Sequence, residues 1–164
     1  MSADERRGES RTVLTYGTFD LFHIGHLRLI ERLAKLGDRL IVGVSTDEFN
    51  AGKGKRSVVS YEDRAAIVSA IRGVDLVLPE ESWEQKADDI EKYDVDLFVM
   101  GDDWRGKFDH LEEHCEVLYL PRTVGVSSTE IKQMLTALDP VHLDELQSAV
   151  TVLTKLLTHY RDLT

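Results

Sequence analysis

Apolar residues along this chain alternate between short β-branched runs and longer stretches at three-four spacing. The runs at 13–16, 40–44, 76–78, 96–100 and 117–120 read as strands. Gly17, Pro79, Gly101 and Pro121 stand at their ends. Ile24, Leu27, Ile30, Leu33 and Leu36 predict a helix over 24–36, with Gly37 as its stop. Capping-box pairs open three more helices: Ser60 with Asp63 to about 71, Ser82 with Gln85 to about 93, and Ser127 with Glu130 to about 138. Residues 108–114 suit a short helix, and the Gly/Lys-rich 51–57 suits a loop. Strands alternating with helices predict an α/β fold: a Rossmann-like, doubly wound parallel sheet of about five strands with helices on both faces. Such a sheet binds its ligand beyond the carboxyl ends of the strands, where strand order reverses.

The two ends differ from this middle. Residues 1–12 are polar and read as a tail. Asp139 and Pro140 resemble the start of an extra C-terminal helix over about 141–161. Its Leu143, Leu146, Val150, Leu153, Leu157 and Tyr160 form a seam for its own domain or for a second subunit. The expected organisation is a tail at 1–12, a domain at 13–138 and a helical extension at 139–164. Composition narrows the function. At 164 residues, with 42% hydrophobic and 30% charged, the chain suits one globular domain. No apolar run reaches the ~20 residues of a membrane span. No secretory signal is visible, and the single Cys115 rules out an internal disulfide or a multi-cysteine zinc site, so a cytoplasmic location is expected. A net charge of -10 disfavours nucleic acid and anionic membranes. Any anionic ligand needs a local basic cluster.

The densest chemistry lies at 15–26, Thr-Tyr-Gly-Thr-Phe-Asp-Leu-Phe-His-Ile-Gly-His. A strand ends, Gly17 lets the backbone turn, and His23 and His26 sit at i and i+3 on a helix start, on one side of the first turn. Gly25 leaves room for a bulky ligand, and the helix N-terminus adds unpaired N–H groups. This place suits a polyphosphate. Ser127, Ser128 and Thr129 offer hydroxyls and backbone N–H groups at a second helix start, with Arg122 nearby as a phosphate clamp. Lys53, Lys55 and Arg56 put three cations in one loop that lacks Walker A spacing. Arg64 and Arg72 lie eight apart on the next helix, roughly on one face. The string 110–114 matches H-x-x-E-H, but a short polar stretch makes it a solvated face, and Cys115 reads as a small core residue.

His23-Ile24-Gly25-His26 resembles the HxGH signature of the nucleotidyltransferase superfamily, and Gly17-Thr18-Phe19-Asp20 resembles its cytidylyltransferase branch. Residues 122–129, RTVGVSST, are similar to that branch's second signature, with Val124 where many relatives carry an acidic residue. Residues 45–49, 83–86 and 99–104 are similar to the glycerol-3-phosphate cytidylyltransferases. The resemblance spans 13–138 and implies CTP plus sn-glycerol 3-phosphate going to CDP-glycerol plus pyrophosphate, for a cell-envelope (teichoic acid-like) or polyol-phosphate polymer. It implies His23, His26, Lys53, Arg72 and Arg122 as catalytic residues. It implies nucleotide contacts from Gly17, Thr18, Phe19, Asp47, Asp103, Thr123, Ser127, Ser128 and Thr129 as well as both histidines and Arg122. Acceptor contacts would come from Asp20, Lys53, Lys55, Arg64, Arg72 and Trp83. Asp75 would orient Arg72. It further implies Mg2+ carried with CTP, with the nucleotide supplying most of its ligands, and a homodimer. Alternatives stay open: phosphoethanolamine, phosphocholine, FMN or a sugar phosphate as acceptor, or a nucleotide-binding assembly module without turnover.

Overall fold

The computed structural model describes residues 10–123, 125, 127–136, 144–145, 147–153 and 155. The chain forms two compact units, Met1–Val126 and Ser127–Thr164. In the first, five strands make one all-parallel sheet in the order β3-β2-β1-β4-β5. They are β1 Thr12–Gly17, β2 Arg39–Ser45, β3 Leu76–Glu80, β4 Leu97–Gly101 and β5 Glu116–Leu120. The helices between them are α1 Ile24–Leu33, α2 Asp47–Gly52, α3 Tyr61–Ser69 and α4 Gln85–Lys92. Two 3₁₀ turns, Asp102–Trp104 and Asp109–Glu113, join β4 to β5.

Alternate residues of each strand face opposite ways, so the sheet carries two cores. Val13, Leu40, Val42, Val44, Leu97 and Val99 pack with Ile30 and Leu33 of α1 and Val68 of α3. Leu14, Ile41, Phe98 and Met100 pack on the other face with Ile90 of α4 and with Phe108 and Leu111. Each such side chain, fully buried, stabilises the fold by about 1.5–3 kcal/mol. Strand order reverses at β1, which pairs with both β2 and β4. The crevice outside the carboxyl ends of β1 and β4 is therefore the fold's ligand position. The 17–26 string leaves one of those ends and 101–104 leaves the other.

The expected elements are present, with three corrections. Helix α1 stops at Leu33 rather than 36, because Lys35 and Leu36 donate to Arg32 and Leu33 in tighter three-residue turns. Strand β3 runs through Pro79 to Glu80. It is an edge strand: Glu80 turns its carbonyl to the Thr46 N–H (2.9 Å), so the proline nitrogen faces the open edge, where no donor is needed. The loop expected at 51–57 begins as the end of α2, which Thr46 caps by accepting from the Phe49 N–H at 3.2 Å.

In the second unit, α5 spans Ser128–Thr136. Its capping box is complete: Ser127 N–H donates to the Glu130 carboxylate and Glu130 N–H to Ser127 Oγ, both at 3.1 Å. Residues 144–145, 147–153 and 155 are helical, and Val150 and Leu153 of the expected seam are exposed. Leu143, Leu146, Leu157 and Tyr160, the Asp139-Pro140 start and most of the 1–12 tail lie outside the described residues.

Candidate functional site

Local structure around the first signature is unusual. Phe19 (φ 53°) and Leu21 (φ 49°) both occupy the left-handed region, at about 1 kcal/mol or more each for non-glycine residues. Asp20 offsets that cost. It is 3% exposed, and its carboxylate accepts from the N–H groups of Leu21 (3.1 Å), Val58 (2.8 Å) and Val59 (2.9 Å). Both oxygens thus hold the turn and the chain after the lysine loop, rather than standing open to an acceptor. Gly17 is needed for space: a Cβ there would lie 2.8 Å from the Phe19 ring, which is itself buried and 5.5 Å edge-on from His26.

His23 is the N-cap of α1, and the two histidines make a capping box between themselves. His23 Nδ1 accepts from the Gly25 N–H at 3.0 Å, and His26 Nδ1 accepts from the His23 N–H at 3.3 Å. The rings stack at 4.0 Å between centroids. An Nδ1 that accepts is unprotonated, so each ring is the neutral tautomer with its proton on Nε2. Burial lowers the pKa of His23 from 6.5; burial and then His23 lower that of His26 to about 4, against the opposing pull of Asp20. The result is two neutral rings, each with an Nε2–H donor, at a helix N-terminus.

Arg64 is a hub rather than a free clamp. It is 1% exposed. Its Nε donates to Val59 O (2.9 Å), one terminal nitrogen to Thr18 O (2.6 Å) and Ser45 O (2.8 Å), and the other to Asp47 Oδ1 (2.6 Å). Four of its five N–H groups are thereby spent on the loop after β1, the end of β2, the start of α2 and the segment before α3. The other oxygen of Asp47 accepts from the Tyr61 N–H at 3.0 Å, so this carboxylate also braces α3. Thr18 Oγ1 reaches the side chain of Asn50 in α2 at 3.2 Å.

Arg72 is the sharper correction. Helix α3 ends at Ser69, so Arg72 is not on the expected helix face but exposed in the turn leading into β3. That turn is at the amino edge of the sheet: Asp75 accepts from the Leu40 N–H at 2.7 Å, at the start of β2. Arg72 therefore lies at the opposite end of the sheet from the histidines, and Asp75 braces the strands instead of orienting it.

Around the carboxyl end of β3 lies a cluster the sequence did not announce. Glu80 is 3% exposed and its register partner is Ser45. Its carboxylate accepts from Ser45 Oγ and from Lys86 Nζ (2.6 Å), and Lys53 Nζ stands 3.8 Å away. Burial lowers the pKa of Lys53, and Glu80 opposes that shift. Lys53 Nζ also lies 4.0 Å from the Phe49 ring centre, and Trp83, 40% exposed, contacts Phe49 and Trp104. Lys55 stands 6.0 Å over Trp104. Lys86 is missing from the expected site residues, although it closes the quoted 83–86 string. Its partner Glu80 lies six residues earlier, across the turn from β3 into α4.

Asp103 and Arg122, which follow β4 and β5, form an exposed ion pair at 2.8 Å, with Thr123 beside it in sequence. Ser127, Ser128 and Thr129 belong to the second unit, at the capped start of α5. His114 of the decoy string contacts Glu91 and Glu113, and burial raises the Cys115 thiol.

Comparison with known proteins gives the family. The glycerol-3-phosphate cytidylyltransferase of Bacillus spizizenii is 59% identical over 128 residues, 78% of this chain and 99% of that protein. The ethanolamine-phosphate cytidylyltransferase of Arabidopsis thaliana is 35% identical over 109 residues, 62% of this chain and 26% of that protein. A lipopolysaccharide core biosynthesis protein from Thermoplasma volcanium shares the fold, with a TM-score of 0.61 at 22% identity over 70% of this chain and 99% of that one. Residues 14–134 match the cytidylyltransferase-like family model. The chain belongs to the cytidylyltransferase-like family of nucleotidyltransferases.

Proposed function

We propose that this chain transfers the cytidylyl group of CTP to sn-glycerol 3-phosphate, giving CDP-glycerol and pyrophosphate. The observation that carries the reading is the 59% identity to a glycerol-3-phosphate cytidylyltransferase across 99% of that protein's length. The His23–His26 geometry supplies a means. A phosphate oxygen of the acceptor forms a bond to the α-phosphorus, and the bond to the bridging oxygen of pyrophosphate breaks. The acceptor is already an anion near neutral pH, so no base is required. The protein's work is alignment and charge stabilisation. Nε2–H of His23 and His26 donates to the triphosphate, whose charge moves toward pyrophosphate in the transition state. Neutral rings suit this role, since each keeps its donor without a proton being lost or gained.

Lys53, at the rim of the β3 cluster, binds the acceptor phosphate, with Lys55 beside it, and Trp83 covers the glycerol moiety. Arg122 leaves its pair with Asp103 for the β- and γ-phosphates, freeing Asp103 for the nucleoside. Ser127 to Thr129 add donors at the start of α5. Mg2+ enters with CTP, whose own phosphate oxygens supply most of its ligands. A homodimer, a cytoplasmic location and use of the product in a cell-envelope polymer complete the reading. Their support is the family resemblance; for location, none of the described helices is long and apolar enough to cross a membrane.

The test is a pyrophosphate-release screen of CTP and ATP against phosphates of glycerol, ethanolamine, choline and several sugars. The expected result is release with CTP and glycerol 3-phosphate at least about tenfold above any other pair. Faster release with another acceptor would transfer the assignment to it. CTP binding without any product would favour an assembly module.

A further inference from the structure

Helix α2 buries one residue, and that residue is an amide: Asn50, 1% exposed. An inward helix position ordinarily takes an apolar side chain, because a buried amide is costly unless it is hydrogen-bonded. Both ends of this amide are engaged. Oδ1 accepts from Thr18 Oγ1 at 3.2 Å, and Nδ2 donates to Ser57 Oγ at 3.0 Å. The Asn50 carbonyl in turn accepts from the N–H groups of Lys53 (3.0 Å) and Lys55 (2.9 Å). Gly54 between them takes φ 70°, a left-handed turn that suits glycine. Asn50 thus closes segment 50–57 on itself and ties it to the loop after β1. From this frame Lys53 Nζ reaches Ser45 Oγ at 3.3 Å, while Lys55 stands over Trp104.

We propose that Asn50 is a positioning residue: its amide fixes the loop carrying Lys53 and Lys55 against the loop of Thr18, and so sets the acceptor phosphate at attacking distance from the nucleotide. This rests on the acceptor-phosphate role proposed above for the two lysines and on triphosphate binding after β1. In-line attack needs reacting atoms about 3–3.5 Å apart, and a misplacement of about 1 Å costs ~10²-fold in rate. The side chain of Asn50 bridges the segment that holds one substrate to the segment that holds the other, which is where such a distance is set.

The experiment compares wild type with Asn50→Leu, close in size but without the amide, and with Asn50→Asp, whose carboxylate still accepts from the hydroxyls of Thr18 and Ser57. Urea denaturation checks folding. Asn50→Leu should raise the KM for glycerol 3-phosphate about tenfold and lower kcat about tenfold, with the Kd of CTP within about threefold of wild type; Asn50→Asp should lie nearer wild type. Lys53→Ala should then cost at least about threefold less in kcat/KM on the Asn50→Leu background than alone. Additive losses, an unchanged acceptor KM, or an equal rise in acceptor KM and CTP Kd would overturn the proposal. If Asn50→Leu does not fold, Ser57→Ala removes one partner of the amide from a half-buried position and should raise the acceptor KM about threefold; an unchanged KM overturns the proposal there. Absence of CDP-glycerol formation by wild type sinks the proposed function instead, and the anchor is still read without turnover. Trypsin should cut after Lys53, Lys55 and Arg56 about tenfold faster in Asn50→Leu than in wild type, and equal rates would deny the anchor.

Discussion

His26 shows how a backbone position can set a side chain's chemistry. Its Nδ1 is held by the His23 N–H, its ring is packed by Phe19, Phe22 and His23, and burial brings its pKa to about 4. The unfolded histidine titrates at 6.5, so below that pH the unfolded chain binds a proton the folded chain refuses. The stability from this pair is complete above about pH 6.5 and is lost as pH falls toward 4. Urea midpoints of wild type should therefore drop between pH 7.5 and 5, and His26→Gln should flatten that drop; parallel curves for the two would deny the coupling. Arg64 is the other decisive residue. Its four hydrogen bonds tie α3 to the loop after β1, the end of β2, the start of α2 and the segment before α3. Arg64→Met leaves Asp47 and three carbonyls without their donor, and should lower unfolding free energy by about 3–5 kcal/mol. A loss under about 1 kcal/mol, read by urea denaturation, would mean the hub is dispensable.

Elements were legible where their signal was local. The strand runs and the capping boxes at Ser60, Ser82 and Ser127 depend on neighbours three or four residues away, and all three serines accept the bond from the residue three on. Helix α2 was hidden by its glycine and lysine neighbours, although Thr46 followed by Asp47 and Glu48 is a sound start signal. The β3 cluster was hidden for another reason. Glu80 meets Ser45 through strand register and meets Lys53 and Lys86 through loops, and no spacing along the chain encodes such contacts. Arg72 misled because helical spacing from Arg64 holds only if α3 continues, and it stops at Ser69. The element-scale prediction concerns α5. Ser127→Ala removes half of its capping box and should cost about 1 kcal/mol. If the start of α5 also holds triphosphate, the KM for CTP rises as well; an unchanged KM leaves Ser127 as a cap alone.

On the scale of the whole molecule, a chain of net charge -10 must bind two polyanions. On the function proposed above, its answer is local: neutral donors at α1, two lysines around Glu80, and Arg122 paired with Asp103. The family match ends at residue 134, and the residues beyond it lie outside that match. A chain ending at residue 138 should keep kcat with CTP and glycerol 3-phosphate within about threefold of the full chain. Loss of turnover by that chain, with its circular dichroism intact, would give the extension a part in the site. The account as a whole stands on two neutral imidazoles at the start of α1 stabilising the departing pyrophosphate. The most direct test is kcat for CDP-glycerol formation by His26→Ala beside wild type, with folding checked by urea denaturation at pH 7.5. The account predicts a loss of about 10²–10³ in kcat in a folded protein; equal turnover would contradict it.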